Sequence, residues 1–122
     1  MSNLAAIYVR DSKNNRASID RQLEKCKTLA QEKNFEVLQI YMETDNSFIQ
    51  RKNLIEDCEL GKIQTVIVSS LDRLSRNIND IKNLVKICCD YNVTFFCNGE
   101  EICPTTTDFV LSIFETMAKF NL

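Results

Sequence analysis

Short runs rich in β-branched and aromatic residues alternate along this chain with longer stretches of helical periodicity, and this alternation limits the possible folds more than any other feature. Residues 4–9 read as a buried strand, followed by a polar loop over 10–17. Ser18 is the predicted N-cap of a helix running to about residue 33, with Leu23, Cys26, Leu29 and Ala30 on one face. A second strand is expected over 35–41, a loop over 43–50, and a short helix over 52–60 that Gly61 can end in a left-handed conformation. A third strand follows at 65–68, a helix at 78–90 carrying Ile81, Leu84, Val85 and Cys88, and a fourth strand at 93–97. The last helix begins near Thr107 and runs to the end, with Phe109, Val110, Ile113, Phe114, Met117 and Phe120 apolar. Strand and helix take turns throughout, which predicts an α/β fold: a mainly parallel sheet of four to five strands flanked by helices. The 122 residues suffice for one such domain, numbered 1–122, and not for two.

Composition removes whole classes of chemistry. The chain has no histidine, so Ser-His-Asp hydrolysis, Cys-His proteolysis and H-E-x-x-H zinc chemistry are impossible. Its 2 glycines, at 61 and 99, exclude a P-loop and a G-x-G-x-x-G fingerprint. Cys26, Cys58, Cys88, Cys89, Cys97 and Cys103 contain no C-x-x-C pair, which favours reduced core thiols over a metal or disulfide framework. No apolar stretch reaches membrane-span length and no secretory leader is visible, so a soluble, cytoplasmic protein is expected. The net charge of −2 argues weakly against a stand-alone DNA-binding domain, yet leaves room for a local cationic site.

Such a site is expected where three loops leave the carboxyl ends of the strands, the edge at which open α/β sheets bind ligands. The first loop carries Arg10, Asp11 and Ser12, the second Ser47 and then Arg51, and the third Asp72, Arg73 and Arg76. Guanidinium forks match phosphate oxygens two-prong to two-prong, which a lysine cannot do. Arg73 and Arg76, three apart at an expected helix start, would share a face and add to the positive end of the helix dipole. Each residue also has a plainer reading. The two arginines alone fit a solvated or salt-bridged face, Ser12 an ordinary loop serine, Asp72 a cap, Gln22 a surface position, and Tyr8 and Leu71 core.

These loops resemble a known family. Tyr8-Val9-Arg10-Asp11-Ser12 resembles the Y-x-R-x-S signature of the serine site-specific recombinases, which comprise resolvases, invertases and serine integrases. Leu71-Asp72-Arg73-Leu74-Ser75-Arg76 is similar to their L-D-R-L-x-R motif, and Ser18 to Gln22 to their S-x-x-x-Q segment. Ser47 and Arg51 resemble the serine and arginine of the family's second active-site loop. The similarity spans nearly the whole chain in the right order.

The resemblance implies a resolvase-like catalytic domain with a C-terminal dimerisation helix. Ser12 would attack a DNA phosphodiester to form a 5′-phosphoserine link. Arg10, Arg73 and Arg76 would hold the phosphate oxygens, Asp72 would orient an arginine or handle a proton, and Gln22, Ser47 and Arg51 would shape the pocket. DNA is the implied partner, with a homodimer that becomes a tetramer in the synaptic complex, and neither metal, ATP nor other cofactor is required. The family's DNA-reading module has no counterpart within these residues, so the chain is expected to be a catalytic domain ending within or just after its last helix.

The sequence also departs from the family pattern. Asp11 and Lys13 replace an apolar residue and a threonine, Phe48 stands where many members have glycine, Ser69 and Ser70 where lysine is often seen, and Asn121-Leu122 replaces an E-R pair. A catalytically impaired assembly module of the same fold is therefore the alternative. A phosphate-binding α/β domain acting on nucleotides is a weaker third reading.

Overall fold

The computed structural model describes residues 3–11, 13, 15–45, 47–75 and 77–102, the side chains of Asp72 and Ile78 excepted. In chain order the elements are β1 (Asn3–Arg10), α1 (Arg16–Glu32), β2 (Phe35–Glu43), α2 (Ile49–Glu59), β3 (Thr65–Val68), α3 (Leu71–Leu74), α4 (Ile78–Asp90), β4 (Thr94–Cys97) and β5 (Glu100–Ile102). The expected last helix lies outside the described residues.

The five strands lie in the order β2-β1-β3-β4-β5. The first four run parallel, with Ile7 of β1 opposite Ile40 on one side and Ile67 on the other. β5 returns antiparallel beside β4. From β1 the chain steps outward to β2, then crosses back to β3, so the direction of winding reverses between β1 and β3. Right-handed crossovers then require α1 on one face and α2 and α4 on the other. The two cores follow this division. Ala5, Ile7 and Val9 join Ile19, Cys26, Leu29 and Ala30 of α1 on one face. Ala6 and Tyr8 join Leu54 and Cys58 of α2 and Ile81, Leu84 and Val85 of α4 on the other.

Alternate residues of β1 thus serve opposite cores, and every residue from Ala5 to Val9 is wholly buried. A parallel strand covered on both faces must be apolar without interruption, as 4–9 is. Each large aliphatic side chain buried here contributes roughly 1.5–3 kcal/mol. Cys26, Cys58, Cys88 and Cys97 are buried, Cys89 is exposed, and none of these five is in a disulfide. Desolvation pushes the Cys26 thiol up to about 12.

Three boundaries differ from expectation. The cap of α1 is Asn15, whose side chain accepts the Ser18 N–H at 3.3 Å, so Ser18 lies inside the first turn instead of before it. α2 starts at Ile49, three residues before the expected position, because its first N–H groups are capped from a distance by β2. β5 was not expected as a strand, since two of its three residues are glutamates. The Asn98-Gly99 pair, with φ of 52° and 81°, makes the tight hairpin turn that creates it. As expected, Gly61 follows α2 in a left-handed conformation (φ 75°), its N–H bonded to the Cys58 carbonyl at 3.1 Å.

Candidate active site at the switch point

The reversal of winding between β1 and β3 leaves a crevice beyond their carboxyl ends, where neighbouring crossovers diverge to opposite faces. Arg10 ends β1 on one side of it, and α3, which follows β3, carries Arg73 on the other. The two residues bind each other's main chain. Arg10 Nε donates to the Arg73 carbonyl at 2.8 Å, and Arg73 Nη1 donates to the Arg10 carbonyl at 3.2 Å.

The backbone of Arg10 is fixed from the other side by Gln22 of α1. Its N–H donates to Gln22 Oε1 at 3.0 Å, and its carbonyl accepts from Gln22 Nε2 at 2.9 Å. The same Nε2 donates to Ser18 Oγ at 3.2 Å. Gln22 is therefore buried, not a surface residue, and its side chain completes the hydrogen bonding of a strand end. The spacing Ser18 to Gln22, one helical turn, places both on the face of α1 that meets β1.

Asp11 organises the loop spanning position 12. Its Oδ1 accepts the N–H of Lys13 at 2.9 Å and of Asn15 at 3.3 Å, and its Oδ2 lies 3.7 Å from Arg73 Nη1. The Lys13 N–H, then the Ser18 hydroxyl, and more weakly the Asn15 N–H and the Arg73 charge, hold its carboxyl below the usual carboxylate range.

The second loop is built around Glu43, the buried last residue of β2, whose Oε1 accepts the N–H groups of Gln50 at 2.7 Å and Arg51 at 3.0 Å. This carboxylate serves α2 as a capping side chain borrowed from another element. Arg51 then reaches across to the third loop, donating to the Leu74 carbonyl at 2.9 Å and meeting Asp80 Oδ2 at 3.5 Å. Asp80 also accepts from the Ser75 hydroxyl at 3.1 Å.

Phe48 lies beneath two of these cations. Its ring centroid is 4.0 Å from the Arg51 guanidinium carbon and 5.2 Å from that of Arg10. It is held in the left-handed region at φ 57°, which costs a residue with a Cβ about 1–2 kcal/mol.

Ser47 is exposed and belongs to the turn before α2. Its N–H donates to Asp45 Oδ1 at 2.9 Å, and its hydroxyl accepts the Ile49 N–H at 3.4 Å. The Ser47 hydroxyl, followed by its N–H, keeps the Asp45 carboxyl below its ordinary range. No hydrogen bond among the described residues ties Ser47 to Arg10 or Arg73. Beneath the site, burial first and the Glu43 charge next push the Tyr8 phenol well above its usual range. Among the described residues its hydroxyl has no partner of good hydrogen-bonding geometry.

Arg10 is thus hydrogen-bonded to both Arg73 and Gln22, and Arg51 shares the Phe48 ring with Arg10. Ser12, Arg76 and the side chain of Asp72 lie outside the described residues. The helical-face argument for Arg73 and Arg76 is corrected. α3 is a single turn, Ser75 after it is extended (φ −170°), and a separate helix opens at Ile78 with its own cap, Asn77. Three-residue spacing across that break does not place two side chains on one helical face. Sequence reasoning missed Glu43, Asp80 and the part played by Phe48. Their partners come from elsewhere in the chain, and only the departure at position 48 marked any of them. Among the described residues no group of acidic or thiol side chains could hold a metal ion, and no helix is long and apolar enough to cross a membrane.

Comparisons with known proteins agree with this fold. Residues 5–122 match the family model described as the resolvase N-terminal domain. The fold is similar to that of the N-terminal catalytic domain of TP901-1 integrase, at 28% identity and a TM-score of 0.78 over 98% of this chain and 94% of that one. It is also similar to a resolvase family site-specific recombinase from Streptococcus pneumoniae, at 25% identity and a TM-score of 0.80 over 98% of this chain and 90% of that one. The C-terminal catalytic domain of ISC1926 TnpA, an IS607-like serine recombinase, shares the fold alone, at 19% identity and a TM-score of 0.67 over 96% of this chain and 80% of that one. No significant match was found among curated proteins.

Proposed function

Because this chain belongs to the resolvase family, matching its N-terminal domain over residues 5–122, we propose that residues 1–122 form the catalytic domain of a site-specific DNA recombinase whose nucleophile is Ser12. The reciprocal hold between Arg10 and Arg73 supports this reading, because it brings two guanidinium groups, one from the end of β1 and one from α3, to one crevice.

In the proposed reaction Ser12 Oγ attacks a DNA phosphorus. The new Oγ–P bond replaces the bond to the 3′ oxygen, which leaves as a hydroxyl after taking up a proton. The serine proton passes to a base, a role in which Asp72 is one candidate. Arg10, Arg73 and Arg76 hold the non-bridging oxygens and stabilise the charge that builds on them, while Gln22, Ser47 and Arg51 shape the surrounding pocket. The phosphoserine ester keeps the energy of the broken bond for religation, so neither ATP nor a metal ion is required. A homodimer that pairs into a tetramer on DNA in the cytoplasm, with DNA recognition supplied by a separate module, completes the reading.

The test is covalent trapping. Joined to a DNA-binding domain and offered a nicked duplex site, the chain should form a denaturant-resistant protein–DNA adduct that Ser12→Ala abolishes. An adduct that survives Ser12→Ala would overturn the assignment. Absence of any adduct would favour the impaired assembly module, to which the Asp11–Arg73 contact lends support by occupying an arginine with a carboxylate.

A further inference from the structure

The two oxygens of the Asp11 carboxylate serve different partners. Oδ1 is taken up by its own loop, accepting the N–H groups of Lys13 at 2.9 Å and Asn15 at 3.3 Å. The Asp11 N–H donates to the Glu43 carbonyl at 3.0 Å, so the residue is anchored through main chain and side chain alike. Oδ2 instead faces Arg73 Nη1 at 3.7 Å, and the arginine side chain it faces is 33% exposed. The same Nη1 also donates to the Arg10 carbonyl.

These contacts differ in how easily they give way. An ion pair at that separation and open to water contributes little, whereas the loop bonds are shorter and directional. An anion arriving at Arg73 can displace Oδ2 while the loop bonds and the Arg10 contact stay in place. A phosphodiester is suited to do so, because it offers two oxygens to a guanidinium that the carboxylate meets with one. The anchored acid is not carried away, however, and its charge goes on opposing whatever anion has entered. A small anion must overcome that repulsion unaided. A phosphodiester that is part of bound DNA overcomes it with the binding energy of the whole duplex.

Resting on the recombinase reading of the site, we propose that Asp11 is a selectivity residue, an anchored carboxylate that competes with anions for Arg73. It keeps small free anions out of the crevice and yields Arg73 to a phosphodiester held in place by DNA contacts elsewhere.

The experiment titrates the full chain with sulfate at constant ionic strength and follows the Arg73 side-chain nitrogens and the Asp11 carboxyl carbon by NMR. In wild type the two signals should move together, while the Lys13 amide stays where it is. Asp11→Asn keeps an acceptor for the loop and removes the charge, so it should bind sulfate roughly fivefold more tightly. In an Arg73→Gln background the same substitution should gain less than about twofold. Joined to a DNA-binding domain, the Asp11→Asn chain should lose adduct formation at about one-fifth of the sulfate concentration that inhibits wild type. An Asp11 carbon unmoved while Arg73 responds, no gain in Asp11→Asn, or an undiminished gain without Arg73 overturns the role of Asp11. A chain that binds sulfate as expected yet forms no adduct in either form defeats the reading of Ser12 instead, and the sulfate cycle still upholds the competition for Arg73.

Discussion

Arg10 and Arg73 each hold the other's main-chain carbonyl, at 2.8 Å and 3.2 Å, across the gap between the ends of β1 and β3. The contact fixes the end of β1 to α3. Arg73→Lys keeps the charge but loses the planar fork. We expect it to slow adduct formation by about 10²–10³-fold. Stability should fall by only about 1 kcal/mol. Single-turnover cleavage and urea unfolding measured together would check this, and a rate within threefold of wild type would sink it.

Gln22 should matter more to the fold than Arg10 does. Gln22→Leu would strip the Arg10 N–H and carbonyl of their bonds to the carboxamide, leaving the carbonyl only the Arg73 donor, at a cost of about 2–3 kcal/mol. Arg10→Ala, which spares that pairing, should cost about 1 kcal/mol while abolishing cleavage. The ranking of the two urea midpoints decides the point.

Glu43 joins β2 to the start of α2. Glu43→Ala should cost about 1–2 kcal/mol by stripping the Gln50 and Arg51 N–H groups of their acceptor. Amide hydrogen exchange should accelerate at those two positions well before the rest of α2. Uniform acceleration along the helix would show that the cap acts otherwise.

The buried Tyr8 phenol predicts an alkaline weakness. Folded, it keeps its proton at pH values where an unfolded tyrosine, titrating near 10, has lost it. Protons are then released on unfolding, so stability must fall as pH climbs past about 10. Tyr8→Phe should make that decline shallower while leaving stability at pH 7 unchanged within about 1 kcal/mol, because the hydroxyl lacks a good partner among the described residues. Melting temperatures from pH 8 to 11 would test both halves. Tyr41, whose phenol is raised by burial and by its hydrogen bond to Asp57, should retain its share of the slope.

The parts of this architecture written locally were legible in the sequence. An unbroken apolar run can only be a strand covered on both faces, which β1 is, and the helical stripe of α4 is set by Ile81, Leu84, Val85 and Cys88. Arg10 and Arg73 could be brought together on paper because motif order and strand edges dictate where loops meet. What escaped depends on partners distant in the chain. Glu43 caps a helix starting six residues later, Asp80 binds an arginine 29 positions away, and Gln22 reads as a surface residue until β1 is laid beside it. The break after Leu74 was missed because nothing in the sequence forces Ser75 to extend.

The pairing of the Gln22 carboxamide with both main-chain groups of residue 10 has a practical corollary. That amide acts as a short borrowed length of strand, so the rail at the end of β1 is held without reference to the headgroup it carries. Position 10 is therefore a socket, one in which a chemist could install a different functional group and expect it to leave the main chain at the same point, with the end of β1 itself left undisturbed.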